Sequence, residues 1–140
     1  MMEQKQAISV SKAFGEEISG EIVVLRGGFS PRYHLNRETG QFSVSGHPVD
    51  GQMLSGKILV CDYARGGIAA GWSLNMLKDN GFAPKALIFM RANPVMVQGA
   101  IFANIPIAEG FTEKEFSVLE KSKQILFAPQ KEKIIIEQSI

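Results

Sequence analysis

The sequence predicts a single α/β domain built on a βαβαβ core, and three observations carry that expectation. Residues 57–61 (KILVC) and 86–90 (ALIFM) are short runs, apolar throughout apart from the leading Lys57, the mark of strands with no face open to water. Between them Ile68, Trp72 and Met76 recur every four residues with Leu77 alongside, the spacing of a helix face. A second helical stretch then leads to the short apolar piece 105–107 (IPI). The order is strand–helix–strand–helix–strand, for which right-handed crossovers are expected.

Each element has a local reason. Residues 1–19 are polar and irregular, with one alternation at Ile8 and Val10. Residues 20–25 (GEIVVL) are β-branched and apolar, a strand. Gly27-Gly28 and Ser30-Pro31 break it, the glycines by permitting positive φ and the proline by holding the chain extended. Residues 32–56 lack a helical period and read as loops and short strands, with one strand at 41–44. The first helix ends at Asn80-Gly81, with Gly81 just past its end. Asn93 caps a second helix with Pro94 in its first turn, running to about residue 104. Thr112 and Glu115 form a T-x-x-E capping box for a third, to about residue 121. Residues 124–127 and 133–136 are two closing strands. There is no internal repeat or linker, so 1–140 reads as one domain, a compact sandwich or barrel of strands with helices outside.

Composition removes several functions. The 140 residues are 45% apolar and carry 15 basic against 14 acidic side chains, a net charge of +1. That balance gives no reason to expect a nucleic-acid partner. One cysteine allows no internal disulfide, no all-cysteine zinc site and no iron–sulfur cluster held by this chain, each cluster needing about three or four thiolates. No run approaches the roughly 20 apolar residues of a membrane span, and the N-terminus lacks a basic-then-apolar signal pattern, so a cytoplasmic protein without a membrane partner is expected.

The strongest chemical feature is the strand-to-helix turn Ala64-Arg65-Gly66-Gly67-Ile68. No Ser, Thr, Asp or Asn stands where an N-cap would be, so the first-turn N–H groups of Gly66, Gly67 and their neighbours are open to a carboxylate or phosphate, with Arg65 as a clamp. The plainer alternative is a tight turn with a solvated arginine. It is neither a Walker A loop nor a G-x-G-x-x-G motif. Two further loops follow strands: Arg26-Gly27-Gly28 with Ser30 and His34 beyond it, and Arg91 with Asn93. Ligands gather at the carboxyl ends of strands in open α/β sheets, so Arg26, Arg65 and Arg91 either converge on an acidic ligand or splay apart on the surface. His34 and His47 have no partner at metal-ligand spacing, and no metal site is expected. Cys61 ends a buried strand and reads as packing, Asp50 as a turn former, Trp72 and Met76 as core. Asp62 is the only acid near the Gly66-Gly67 turn. The set lacks a complete acid/base pair, which suggests a subunit that completes another protein's active site.

An ordered series of short motifs carries a family resemblance: Gly27-Gly28-Phe29-Ser30-Pro31, Glu38-Thr39-Gly40, Gly46-His47-Pro48, Gly51, Gly56 to Val60, Arg65-Gly66, Gly81, Ala83-Pro84 and Gly99-Ala100. Over about residues 15–111 the chain resembles the small subunit, or swivel domain, of the aconitase X family. The resemblance implies a swivelling, barrel-like β/β/α fold like the mobile fourth domain of aconitases. It implies a large-subunit partner carrying a metal or iron–sulfur centre, and dehydration of a small hydroxy acid. Mevalonate 5-phosphate and cis-3-hydroxy-L-proline are the family's known substrates. It also marks a departure. Typical members carry Gly-Arg-Gly-Ser-Ser/Thr at the strand-to-helix turn, the first serine taken as catalytic base. Here Gly67 stands in that place and Ile68 in the next, with no hydroxyl until Ser73.

The resulting expectation is the small subunit of an aconitase X-type hydro-lyase, inactive alone. Arg65, Gly66, Gly67, Gly27, Gly28, Arg26, Arg91 and Asn93 are its substrate-binding candidates, and Ser30 and His34 its candidates for proton transfer. The alternative is a non-catalytic binding or regulatory module that kept the fold and lost the serine. An independent enzyme is the third reading, against which the incomplete acid/base set counts.

Overall fold

A computed structural model describes residues 5–140; the first four residues of the stretch read above as irregular lie outside it. The expected core is present. The strands β3 (Ile18–Leu25), β4 (Ile58–Tyr63), β5 (Ala86–Arg91) and β6 (Ile107–Glu109) run parallel in that order. The helices α1 (Ile68–Asp79) and α2 (Pro94–Phe102) connect β4 to β5 and β5 to β6. Ile58–Cys61 and Ala86–Phe89 are buried throughout, as a strand covered on both faces must be. The helix α3 (Glu113–Glu120) has the full capping box: the Thr112 hydroxyl accepts from Glu115 N–H, and the Glu115 carboxylate accepts from Thr112 N–H. The closing strands β7 (Ser122–Ala128) and β8 (Lys133–Ser139) are longer than the sequence suggests and join through a 3₁₀ turn at Pro129–Lys131.

The strand β3 serves two ladders. Its first half, from Ile18 to Glu21, pairs antiparallel with β7, and its second half, from Ile22 to Leu25, pairs parallel with β4. The expected irregular start is corrected by two short strands, β1 (Ala7–Ser9) and β2 (Lys12–Phe14). β1 pairs with β8 at one edge of the sheet and β2 with β6 at the other. Only Val10 and Ser11 lie between them, and their N–H groups donate to Glu132 and Glu109. One continuous segment thus joins both edges of the eight-stranded sheet, which closes it as a barrel. Neither strand is legible locally, because each is three residues long and gets its order from its partner.

Three further expectations shift. The strand at 41–44 reduces to isolated bridges, Leu35 with Phe42 and Gln41 with Met53, in a long loop. That loop is ordered by burial of Leu35, Phe42, Val49 and Leu54 under α1, and by Asp50 accepting from Val44 N–H, the turn role read from sequence. The third core strand starts at Ile107, two residues late, because Ile105 N–H is still closing α2 on Ala100 and Asn104 turns with φ 57°. Most consequentially, the Ile68–Trp72–Met76 stripe is not core. Those side chains are 73%, 60% and 47% exposed, while Ala70, Ser73, Leu74 and Leu77 face inward. The helix has two apolar faces, and the smaller side chains occupy the buried one because α1 and α2 cross in near backbone contact. A Cβ on Gly99 would lie 2.7 Å from the Gly71 Cα.

Candidate functional site

The loops after β3, β4 and β5 leave the same edge of the parallel ladder, as the sequence suggests. Phe29 bridges Ala64, and Arg65 N–H donates to the Phe29 carbonyl at 2.8 Å, which stitches the first two loops together. Asn93 ties in the third. Its Oδ1 accepts from Met96 N–H at 2.8 Å as the expected α2 cap, and its Nδ2 donates to the Gly66 carbonyl at 3.4 Å.

The two Gly-Gly turns at this edge differ sharply. Gly27 and Gly28 donate their N–H groups to the Asp62 carboxylate at 2.8 and 2.9 Å, and Tyr63 N–H adds a third bond at 2.9 Å. Burial pushes the Asp62 carboxyl up, but these backbone donors outweigh it and hold it below the usual carboxylate range. The donors of Gly27 and Gly28, expected at a ligand, are therefore satisfied within the chain. Gly28 is needed for space: with φ +88°, it lies under Arg65, whose Cδ would be 2.2 Å from any Cβ there.

Gly67, by contrast, is the N-cap of α1 with no side-chain hydrogen bond, and α1 has no acid in its first turn. Among the described residues nothing satisfies these donors from a side chain. Arg65 is exposed and in no ion pair among the described residues. A cavity of about 150 Å³ lies over this turn, lined by Ser30, Arg32, Tyr33 and residues 66–70.

Of the three arginines, Arg26 is held by acids of α3. Arg26 pairs with Glu113 at 2.7 Å and Glu120 at 2.8 Å, and its guanidinium lies 4.2 Å from the Phe116 ring centroid. Arg26, expected at a ligand, is thus engaged with α3. Arg91 ends β5 in register with Tyr63 and is exposed. His34 is half-buried, with Nδ1 accepting from Ser30 N–H at 2.9 Å. Burial, then the positive charge of Arg65 and His47, lower its pKa, so the ring is neutral near pH 7. Cys61 is fully buried, and burial followed by the Asp62 charge pushes its thiol far up, leaving it a packing residue. Among the described residues no three His, Cys, Asp or Glu side chains gather as a metal-ligand group. With one buried cysteine, the described residues do not fit an iron–sulfur cluster.

Sequence reasoning missed the surface beside this site. Trp72 and Phe102 meet edge to face with ring centroids 6.2 Å apart. With Ile68, Val95 and Gln98 they line an open groove of about 360 Å³ between α1 and α2. Phe102 is 72% exposed. Ile68 borders both this groove and the cavity over the α1 N-terminus, so the two are neighbours. The i, i+4 spacing was the available signal, but periodicity alone cannot say which of two apolar faces is covered. No helix among the described residues is long and apolar enough to cross a membrane.

Comparison with known proteins agrees with this architecture. The family model described as the aconitase X swivel domain matches residues 7–136. The phosphomevalonate dehydratase small subunit of Pyrococcus horikoshii is 30% identical over 119 residues, covering 85% of this chain and 87% of that protein. Its namesake in Pyrococcus abyssi is 34% identical over 100 residues, covering 71% and 77%. The crystal structure of aconitase X from Thermococcus kodakaraensis in its holo form superposes with a TM-score of 0.84 at 26% identity, covering 95% of this chain and 99% of that one. The solution structure of a UPF0107 protein shares the fold, with a TM-score of 0.85 at 24% identity.

Proposed function

Since the chain belongs to the aconitase X swivel-domain family, we propose that it is the small subunit of an aconitase X-type hydro-lyase, completing the active site of a large subunit that acts on a small hydroxy acid. The observation that carries this reading is half a site bordered by an uncovered apolar face. Ala70 N–H already donates to the Gly67 carbonyl, so the α1 N-terminus offers the N–H groups ahead of it, with Arg65, but the chain adds no acid/base pair. The Trp72–Phe102 groove lies beside it, with Ile68 in both linings. Apolar patches of this kind mark partner surfaces, and the partner proposed for it is the large subunit. The relatives bear the name of a small subunit, and any metal or cluster would be the large subunit's.

Removing water from a hydroxy acid takes a proton from one carbon and the hydroxyl from its neighbour, and negative charge builds on the substrate as the proton leaves. This chain's part is to hold an anionic end of the substrate on Arg65 and the first-turn N–H groups, whose positive end of the helix dipole is aimed at that charge. Asn93 positions the turn through the Gly66 carbonyl. Gly67 and Ile68 carry no hydroxyl, so the proton acceptor is assigned to the large subunit. The second reading, a binding module that has lost catalysis, is favoured by the same two residues.

Co-expression with the large subunit, one chain tagged, separates the two. An equimolar complex whose iron content and hydro-lyase activity exceed those of either chain alone is expected. Trp72→Glu should abolish the complex while leaving this chain folded, because Trp72 is 60% exposed. A stable lone monomer that never joins the large subunit would overturn the proposal in favour of the binding module.

A further inference from the structure

One buried side-chain polar atom among the described residues lacks a hydrogen-bond partner, the hydroxyl of Ser30. The residue is 1% exposed. Its main chain is fully engaged: the N–H donates to His34 Nδ1 at 2.9 Å, and the carbonyl accepts from Tyr33 N–H at 3.2 Å and His34 N–H at 2.9 Å. The backbone therefore fixes Ser30 in place and leaves Oγ as the one group without a partner. That oxygen sits against Gly66, where a Cβ would come within 3.1 Å of it and within 2.8 Å of the Ala70 Cβ. Ser30 also lines the cavity over the first turn of α1 together with Gly67, Ile68 and Ala69. An uncapped helix start and an orphaned hydroxyl thus share one small cavity. Buried hydroxyls are nearly always bonded, because leaving one unbonded destabilises the fold. The exception needs a reason, and the cavity supplies one.

We infer that Ser30, not residue 67, supplies the hydroxyl of this site, its Oγ–H donating to an oxyanion of the substrate, a carboxylate or phosphate oxygen, seated on the N–H groups at the start of α1. The inference rests on reading that turn as the substrate-facing site. It makes Ser30 a substrate-binding residue and His34 the positioning residue that fixes its backbone. Gly66, at φ +106°, suits the same arrangement, since a Cβ there would crowd the Ala70 Cβ at 2.8 Å and the hydroxyl at 3.1 Å. A hydroxyl facing an oxyanion donates a charge-assisted hydrogen bond, about twice as strong as a neutral one.

The test uses the isolated full chain, labelled with ¹⁵N and titrated with inorganic phosphate in one arm and acetate in the other. Saturable shifts centred on the amides of residues 66–70 are expected, and the arm that produces them tells a phosphate end from a carboxylate end. Ser30→Ala should weaken that binding by roughly tenfold or more, the loss of a bond to a charged group. The same variant should leave the Tm unchanged or raise it by roughly 3–5 °C, since it removes an unsatisfied buried group. Ser30→Cys, a poor donor of similar size, should show the same loss of binding. Absent or unsaturable shifts in both arms would overturn the inference, as would unchanged binding in both variants. A fall in Tm for both would also overturn it, by showing that the hydroxyl has a structural partner. Because no large subunit is present, failure here leaves the complex-formation test standing, and failure of that test leaves this one standing.

Discussion

Gly67→Ser places a hydroxyl where the family carries one, and the structure sets its effect on stability. Gly67 is the N-cap of α1 at φ −107° and ψ −147°, a negative φ outside the left-handed region, and a Cβ there would meet nothing within 4 Å. No other side chain caps the helix. A serine at this position accepts from the N–H of Ala69, since that of Ala70 already donates to the Gly67 carbonyl at 3.0 Å. Against glycine that gain is only a few tenths of a kcal/mol, because glycine is itself a tolerable N-cap. Replacing glycine in a compatible conformation adds about 0.4–1 kcal/mol by narrowing the unfolded ensemble. The sum is a stabilisation of about 0.5–1.5 kcal/mol, or a rise in Tm of roughly 2–6 °C. Urea denaturation of the isolated chain reads it as a higher midpoint at unchanged slope. A loss of stability would refute the reasoning, since it would mean that the turn needs glycine for its shape or that the first-turn N–H groups are already satisfied.

Gly99→Ala has the opposite sign. Its Cβ would meet the Gly71 Cα at 2.7 Å and the Gly71 carbonyl oxygen at 3.0 Å, backbone that cannot yield without separating α1 from α2. A cost of about 1–3 kcal/mol is expected in the same urea assay. Asp62→Asn should cost about 1 kcal/mol at pH 7, a charge-assisted value reduced for partial exposure, and it should change the acid limb of the stability profile. The folded-state pKa of Asp62 lies below its unfolded value. Its contribution is therefore full above the ordinary carboxylate value of about 3.9 and is lost as pH falls through the lower folded value. Thermal melts from pH 6 down to 2 should show the wild-type advantage over the variant shrinking below about pH 4, and a constant difference would contradict the assignment.

What was legible in the sequence follows from how local each signal is. Buried parallel strands are continuous apolar runs, and the Thr112 and Asn93 caps are satisfied within three residues of themselves, so all could be read directly. β1 and β2 could not, because what orders them is pairing with β8 and β6, more than ninety residues away. The same limit applies at the site. The Arg65-Gly66-Gly67 turn and its missing cap are visible in five residues. The diversion of Arg26 needed Glu113 and Glu120 from a distant helix. The exposure of Trp72 needed the Gly71–Gly99 crossing, which sends the smaller face of α1 inward.

The two Gly-Gly turns then amount to an internal control. Both follow strands of the same parallel ladder and leave the same edge. At the first, the chain supplies its own anion, because Asp62 on the neighbouring strand reaches both donors. At the second, the corresponding positions on the next strand and loop are Arg91 and Asn93, neither an acid, and Asn93 turns its amide to the Gly66 carbonyl rather than to the N–H groups. Donors aligned by a helix and left without an internal acceptor are suited to an external one. The arginine beside them can only donate, and the orphaned Ser30 hydroxyl beneath them is able to donate as well. A turn that merely reversed the chain would have no use for that convergence, which is why the ligand is assigned to Gly66-Gly67 and not to Gly27-Gly28.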